Sequence, residues 1–221
     1  MNVQYKAVLL DFDGTLVDTS EGIFHSIAVA FQKMGIPLPS EQTLRHFMGP
    51  PISYSFQTFA GMSVQQSEQA TRFFRDDYEK DGVYRSKPYD GLSELLRRLR
   101  AEGVKIGVAT LKPEKMAKLL LSRFEISDLV DACVGSRSDE MDSATKAQII
   151  GRVLEQLGGI PGQDAVLIGD TKYDREGAEQ AGLAFIAAAY GYGIGPEEEA
   201  ASVFIAQDTD ALTTFFFPDG A

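Results

Sequence analysis

Two carboxylates stand one residue apart where an apolar run ends: Ala7-Val8-Leu9-Leu10 passes directly into Asp11-Phe12-Asp13-Gly14-Thr15-Leu16. The run reads as a short buried strand, and Gly14 lets the backbone turn sharply behind it. Residues i and i+2 of a strand share a side, which sends Asp11 and Asp13 toward one space beyond the strand's end. Like charges held that close need a cation or a shared proton. Alone, the same letters also fit a strand closed by an ordinary Asp-Gly turn. What the later strands end in decides between the two.

The elements that must position these acids follow from periodicity. Residues 21–34 read as an amphipathic helix capped by Thr19 or Ser20 and stopped by Gly35; a second helix starts near Ser40, and a third covers 64–80. No convincing strand lies between them, so residues 17–86 read as an all-helical insert. From Lys87 the pattern becomes alternating: helix 91–101, strand 104–109, helix 113–124, a weaker strand 129–134, helix 144–157, strand 165–168, helix 174–181, strand 183–188, an edge strand 203–205 and a last helix 210–216. Such alternation predicts an α/β fold, a Rossmann-like parallel sheet with helices on both faces, here formed by residues 1–16 and 87–221.

Ligands of open parallel sheets collect beyond the carboxyl ends of the strands. The strand at 104–109 ends in Thr110, whose hydroxyl can donate to a phosphoryl oxygen; its plainer reading is a cap for the helix at Pro113. The strand at 165–168 runs into Gly169-Asp170-Thr171-Lys172-Tyr173-Asp174, which adds two carboxylates. Four acids and a threonine, all at strand ends, are poorly explained as separate helix caps.

Hard carboxylate oxygens without a histidine or cysteine cluster suit Mg²⁺ and disfavour zinc. Asp11 and Asp170, with a main-chain carbonyl from Asp13, could hold the ion while the other oxygen of Asp11 attacks phosphorus. Asp13 would protonate the leaving alcohol and then take a proton from water. A lysine must offset the crowded acids; Lys146 is the first choice and Lys112 the second.

These residues together resemble the haloacid-dehalogenase-like hydrolase superfamily. Asp11-Phe12-Asp13-Gly14-Thr15 looks like its first motif, Thr110 its second, Lys146 its third, and Gly169-Asp170 with Asp174 its fourth. The helical insert, Ala109-Thr110-Leu111-Lys112-Pro113 and Ala189-Tyr190-Gly191-Tyr192-Gly193 resemble the phosphoglycolate-phosphatase-like branch, in which the insert is a cap domain, here 17–86. The resemblance implies Asp11 as nucleophile, Asp13 as acid/base, Thr110 with Leu111 and Lys146 as phosphate clamp, and Asp11, Asp13 and Asp170, supported by Asp174, as the metal side. One departure stands out: many relatives follow the third-motif lysine with proline, whereas here the sequence is Lys146-Ala147-Gln148.

Single positions separate the chemistries within the superfamily. Its dehalogenases lack the second acid, so Asp13 argues for phosphoryl transfer. Its sugar phosphomutases place a histidine where Ile23 stands, with His25 two residues displaced. Its phosphonate hydrolases need a cap lysine, and this insert offers only Lys33 and Lys80. Substrate choice is expected in the loop Arg45-His46-Phe47-Met48-Gly49-Pro50-Pro51, with Gly49 in the turn and Arg45 able to pair a substrate carboxylate bidentately.

Composition bounds the partners. The 221 residues are 44% hydrophobic, enough for a full core, and the formal charge of −11 leaves no basic stripe for nucleic acid. No window approaches the about 18 apolar residues of a membrane span, and the N-terminus does not read as a signal peptide. The expectation is a cytoplasmic protein, a monomer or homodimer, acting on a small phosphorylated metabolite. Cys133, the single cysteine, reads as a buried structural thiol, and Phe215-Phe216-Phe217 as core packing of the last helix. Two classes stay open. One is a Mg²⁺-dependent phosphatase, with phosphoglycolate first and 5′-nucleotidase or pyrophosphatase activity as alternatives. The other is a non-catalytic phospho-receiver, which needs neither Asp13 nor a helical insert.

Overall fold

The computed structural model describes residues 3–137 and 144–218. The chain divides into two compact units, Met1–Val17 with Pro88–Ala221, and Asp18–Lys87. In the first unit β1 (Ala7–Leu10), β4 (Lys105–Pro113), β5 (Ala132–Ser136), β6 (Ala165–Gly169), β7 (Ala184–Ala188) and β8 (Phe204–Ala206) form one sheet in the order β5-β4-β1-β6-β7-β8. Every pairing in it is parallel. Between the strands run α5 (Leu92–Ala101), α6 (Glu114–Arg123), α7 (Lys146–Gln156), α8 (Lys172–Ala181) and α9 (Pro196–Ala201), and α10 (Thr209–Phe216) follows the last strand.

Burial explains why these segments are strands. Ala7, Leu9, Ala165 and Leu167 pack with Ile149, Ile150 and Val153 of α7 in one core cluster. Their alternates Val8, Leu10, Val166 and Ile168 are fully buried too. A strand covered on both faces reads as a continuous apolar run, which is the pattern of β1 and β6. α5 contributes Leu92, Leu95, Leu96 and Leu99 as its buried side, at the i, i+3, i+4, i+7 spacing of one helix face.

Strand order creates the functional end of the sheet. After β1 the chain builds outward on one side through β4 and β5, then returns to lay β6 against the opposite edge of β1. β1 is therefore the switch point, and Leu10 pairs with Val108 on one side and Ile168 on the other. Residues just past this row come from three remote stretches of sequence.

The unit 18–87 is helical: α1 (Ser20–Met34), α2 (Glu41–Arg45), α3 (Ile52–Thr58) and α4 (Val64–Lys80). Gly35 ends α1 in the left-handed region at φ 66°, Ser40 caps α2 by accepting from the Thr43 N–H, and Ser63 with Gln66 forms a capping box on α4. Where the chain passes between the units, β2 (Val17–Asp18) and β3 (Lys87–Pro88) form a two-stranded sheet.

Several expectations are corrected. α3, α9, β2 and β3 are absent from the periodicity reading. The weak strand expected at 129–134 lies later, at Ala132–Ser136, after a 3₁₀ turn at Ser127–Leu129. Pro113 is the N-cap of α6 rather than a residue of its first turn. Cys133 is half-buried, and burial pushes its thiol up to about 12, so it stays protonated. Phe216 and Phe217 are buried, while Phe215 is half-buried against Phe204 with ring centroids 4.7 Å apart.

Leu9 lies fully buried in the central strand, so Leu9→Ala should cost about 2–5 kcal/mol in urea unfolding. A loss under about 1 kcal/mol would show that β1 is not held between two packed faces.

Candidate active site

Past the Leu10 row, β1 delivers Asp11, whose N–H donates to the Ile168 carbonyl at 2.9 Å. This bond carries the β1–β6 pairing one residue beyond the strand and aligns Asp11 with the end of β6. The chain then turns tightly: Gly14 N–H donates to the Val17 carbonyl at 2.9 Å, and the amides of Leu16 and Val17 both donate to the Phe12 carbonyl. Gly14 sits at φ 83°, and a Cβ there would run into the Asp170 carboxylate. Both facts require glycine.

Asp170, fully buried, uses both oxygens. Oδ1 accepts from the Thr15 hydroxyl at 2.9 Å, and Oδ2 accepts from the Tyr192 backbone N–H at 2.8 Å. The Tyr190 hydroxyl donates to the Thr15 carbonyl at 3.0 Å, and its ring meets Tyr89 edge-on with centroids 4.9 Å apart. The segment 189–193 thus straps the turn after β1 to the end of β6. Asp174 opens α8 with its Oδ2 accepting from both the N–H and the hydroxyl of Thr171, at 3.0 and 2.6 Å.

Lys146 enters from the first position of α7, which Thr145 and Gln148 start with a capping box. Its Nζ lies 2.6 Å from Asp11 Oδ1 and 2.6 Å from Asp174 Oδ1, with the side chain only 4% exposed. Lys112, at the end of β4, is as deeply buried and donates to Asp13 Oδ1 at 2.9 Å. Each lysine pairs with a different acid of the turn after β1: Lys146 stands at Asp11 and Lys112 at Asp13.

Carboxylate oxygens of Asp11, Asp170 and Asp174 all lie within 4.8 Å of one another, the group among the described residues that could hold a metal ion. Asp13 does not add its carboxylate to that group; it turns to Lys112. Burial, then the neighbouring Asp174 and Asp13 charges, pushes the Asp11 carboxyl up to about 7 against the pull of Lys146. Asp170 is held well above the carboxylate range by burial, then by Asp174 and Asp11, with the Tyr192 and Thr15 hydrogen bonds opposing. For Lys146 burial works against the charge, and the two carboxylates more than offset it, so its pKa rises. Four carboxylates meet two ammonium groups here, an excess that fits a divalent cation bound through oxygen.

Thr110 is buried within β4 and does not cap α6; its Oγ1 accepts from the Lys112 N–H at 3.1 Å. Leu111 packs half-buried against the core cluster. Arg45 lies in the unit 18–87, where its Nη2 is 2.7 Å from Glu41 Oε1 on the exposed side of α2. Gly49 adopts φ 96° in the loop that follows. Thr15, Tyr190 and the Tyr192 amide were not expected at the site. The Gly14-Thr15 turn and the tyrosine-glycine repeat at 190–193 were the signals for them.

The haloacid dehalogenase-like hydrolase family model matches residues 8–188. A 5′-nucleotidase from Pseudomonas aeruginosa is 33% identical over 197 residues, covering 89% of this chain and 87% of the relative. The tyrosine-protein kinase PtkA of Mycobacterium tuberculosis is 33% identical over 189 residues, 85% of this chain but 63% of its own length. A crystal structure of a predicted phosphatase from Clostridium acetobutylicum superposes with a TM-score of 0.86 at 34% identity, covering 97% of this chain and 99% of that one.

A carboxyl with a higher pKa folded than unfolded binds more protons in the folded state between the two values. Stability then falls as pH rises through that window, from about 4 to about 7 for Asp11, and Asp170 adds in the same sense. Metal-free protein should therefore melt lower at pH 8 than at pH 5, with a shallower slope in Asp11→Asn. Equal slopes in the two proteins would contradict the assignment of burial to Asp11. With the family model spanning residues 8–188 and buried acids gathered at the switch point of the sheet, this chain belongs to the haloacid dehalogenase-like hydrolase family, as a phosphatase.

Proposed function

We propose that this chain is a Mg²⁺-dependent phosphatase of small phosphomonoesters that works through a phosphoryl group carried on Asp11. The observation that supports it best is Lys146 set between Asp11 and Asp174, beside Asp170. A lysine in that place favours the ionised, nucleophilic form of Asp11 and offsets part of the cost of its burial. Asp11 and Asp170 would hold the ion, with the backbone carbonyl of Asp13, and Asp174 would support them by fixing Lys146. When bound, Mg²⁺ supplies positive charge to the phosphoryl oxygens and orients them.

The remaining chemistry belongs to the chain. An Asp11 oxygen attacks phosphorus as the bond to the leaving oxygen breaks, and that oxygen takes the bond's electron pair and a proton from Asp13. Lys146 and the Thr110 hydroxyl hold the transferred group from two sides. In the second step Asp13 takes a proton from water, the water oxygen bonds to phosphorus, and the electron pair returns to the Asp11 carboxylate.

None of these groups senses what the phosphate is attached to, so substrate choice belongs elsewhere in the chain. The cap-domain reading of residues 17–86 assigns it to the loop with Arg45 and Gly49. On the branch resemblance of Ala109–Pro113 and Ala189–Gly193, phosphoglycolate is the first candidate. The nucleotidase name of the Pseudomonas aeruginosa relative favours a 5′-mononucleotide as the second.

Phosphate release from p-nitrophenyl phosphate should require Mg²⁺ and fall by ~10³-fold or more in Asp11→Asn. In Asp13→Asn, kcat should drop by ~10²-fold or more while Mg²⁺ affinity changes little. Protein that binds Mg²⁺ yet turns over no phosphoester would overturn the reading. A panel of phosphoglycolate, mononucleotides, sugar phosphates and pyrophosphate, compared by kcat/KM, assigns the substrate.

A further inference from the structure

Lys112 is a buried charge that the chemistry above does not use. Its side chain is 4% exposed, and its Nζ donates to Asp13 Oδ1 at 2.9 Å and lies 5.8 Å from the centre of the Phe12 ring. An ammonium buried this far is retained only with a partner that offsets its desolvation. A surface lysine would avoid the cost.

The backbone around Lys112 is shaped to put it there. β4 breaks register with β5 between Ala109 and Pro113. Within that break, the Thr110 hydroxyl accepts the Lys112 N–H at 3.1 Å. The Lys112 carbonyl lies close over Gly135 of β5, where a Cβ would come within 2.5 Å of it. Pro113 then fixes the backbone at the end of the strand. Thr110, Gly135 and Pro113 thus pin both sides of the Lys112 peptide while its side chain reaches back to the turn after β1.

We infer that Lys112 is a positioning residue for the acid/base: it grips Asp13 through one oxygen and orients the carboxylate for proton exchange with the leaving group and with water. The inference rests on the acid/base reading of Asp13. It separates the two lysines by task. Lys146 stands at the nucleophile and Lys112 at the proton carrier, and the electron and proton flow is that of the two steps already written, with no new reactant. A flexible aspartate loses its advantage mainly when the leaving oxygen needs a proton. The dependence on Lys112 must therefore grow with the basicity of the leaving group.

The test compares wild type, Lys112→Met, Lys112→Arg, Asp13→Asn and the Asp13→Asn/Lys112→Met double variant on p-nitrophenyl phosphate and on a simple alkyl phosphate. Thermal melts in parallel confirm that each variant is folded. For Lys112→Met the expected result is a fall in kcat about tenfold larger on the alkyl phosphate, with KM changed less than about threefold. Lys112→Arg should recover most of it, and the double variant should be no slower than Asp13→Asn alone. Should Lys112→Met fail to fold, Lys112→Ala and its combination with Asp13→Asn carry the same comparison, with Lys112→Arg kept as the rescue. A raised KM with unchanged kcat on both substrates would overturn the inference, because it marks a lysine that binds phosphate. Additive losses in the double variant would overturn it too. If Asp13→Asn itself shows no leaving-group dependence, the acid/base reading fails first and takes the inference with it. If Asp13→Asn behaves as expected and Lys112→Met does not, only the inference fails.

Discussion

The structure depends on keeping four carboxylates together where water is scarce. Asp11, Asp170 and Asp174 are almost wholly buried, and Asp13 stands two residues from Asp11. Isolated ionised groups in such a place cost several kcal/mol each, so the fold must bring cations and donors to them. Lys146 comes from the start of α7, Lys112 from the end of β4, the Thr15 hydroxyl from the turn after β1, and the Tyr192 amide from beyond β7. Each arrives from a different crossover. The parallel sheet makes this possible, since every β–α connection opens at the same end.

Backbone geometry and electrostatics are coupled at that end. Gly14 leaves room for Asp170, Thr15 both forms the turn and donates to Asp170, and Tyr190 fixes the Thr15 carbonyl. A change at any of them moves a charged group that a rigid core cannot follow. The same crowding leaves an excess of carboxylates over ammonium groups that a dication could offset. Oxygen donors without histidine or cysteine among the grouped residues suit a hard ion.

Much of this was legible in the sequence because the informative features are local. A strand running into Asp-Phe-Asp-Gly, and another running into Gly-Asp, can be read from adjacent letters. The bounds of α4 were legible from the bulky apolar side formed by Phe73, Phe74 and Tyr78. Short elements were not legible: Ile52–Thr58 has too few turns to show a period, and two-residue strands have none. β5 was expected too early because apolar letters alone do not distinguish a 3₁₀ turn from an edge strand. The site's pairings were harder still. Lys112 and Asp13 are 99 residues apart, and no spacing rule connects them. The Tyr192 contribution is a backbone amide, which no side-chain motif can announce.

The account's central claim is that Asp11 carries the phosphoryl group. Its most direct test is rapid acid quench of the wild-type protein during turnover of a ³²P-labelled phosphomonoester, followed by peptide mapping. The account predicts a phosphorylated peptide containing Asp11, with the label released by hydroxylamine, as an acyl phosphate requires. Full turnover with no label on the protein, or with the label on a residue other than Asp11, would contradict it.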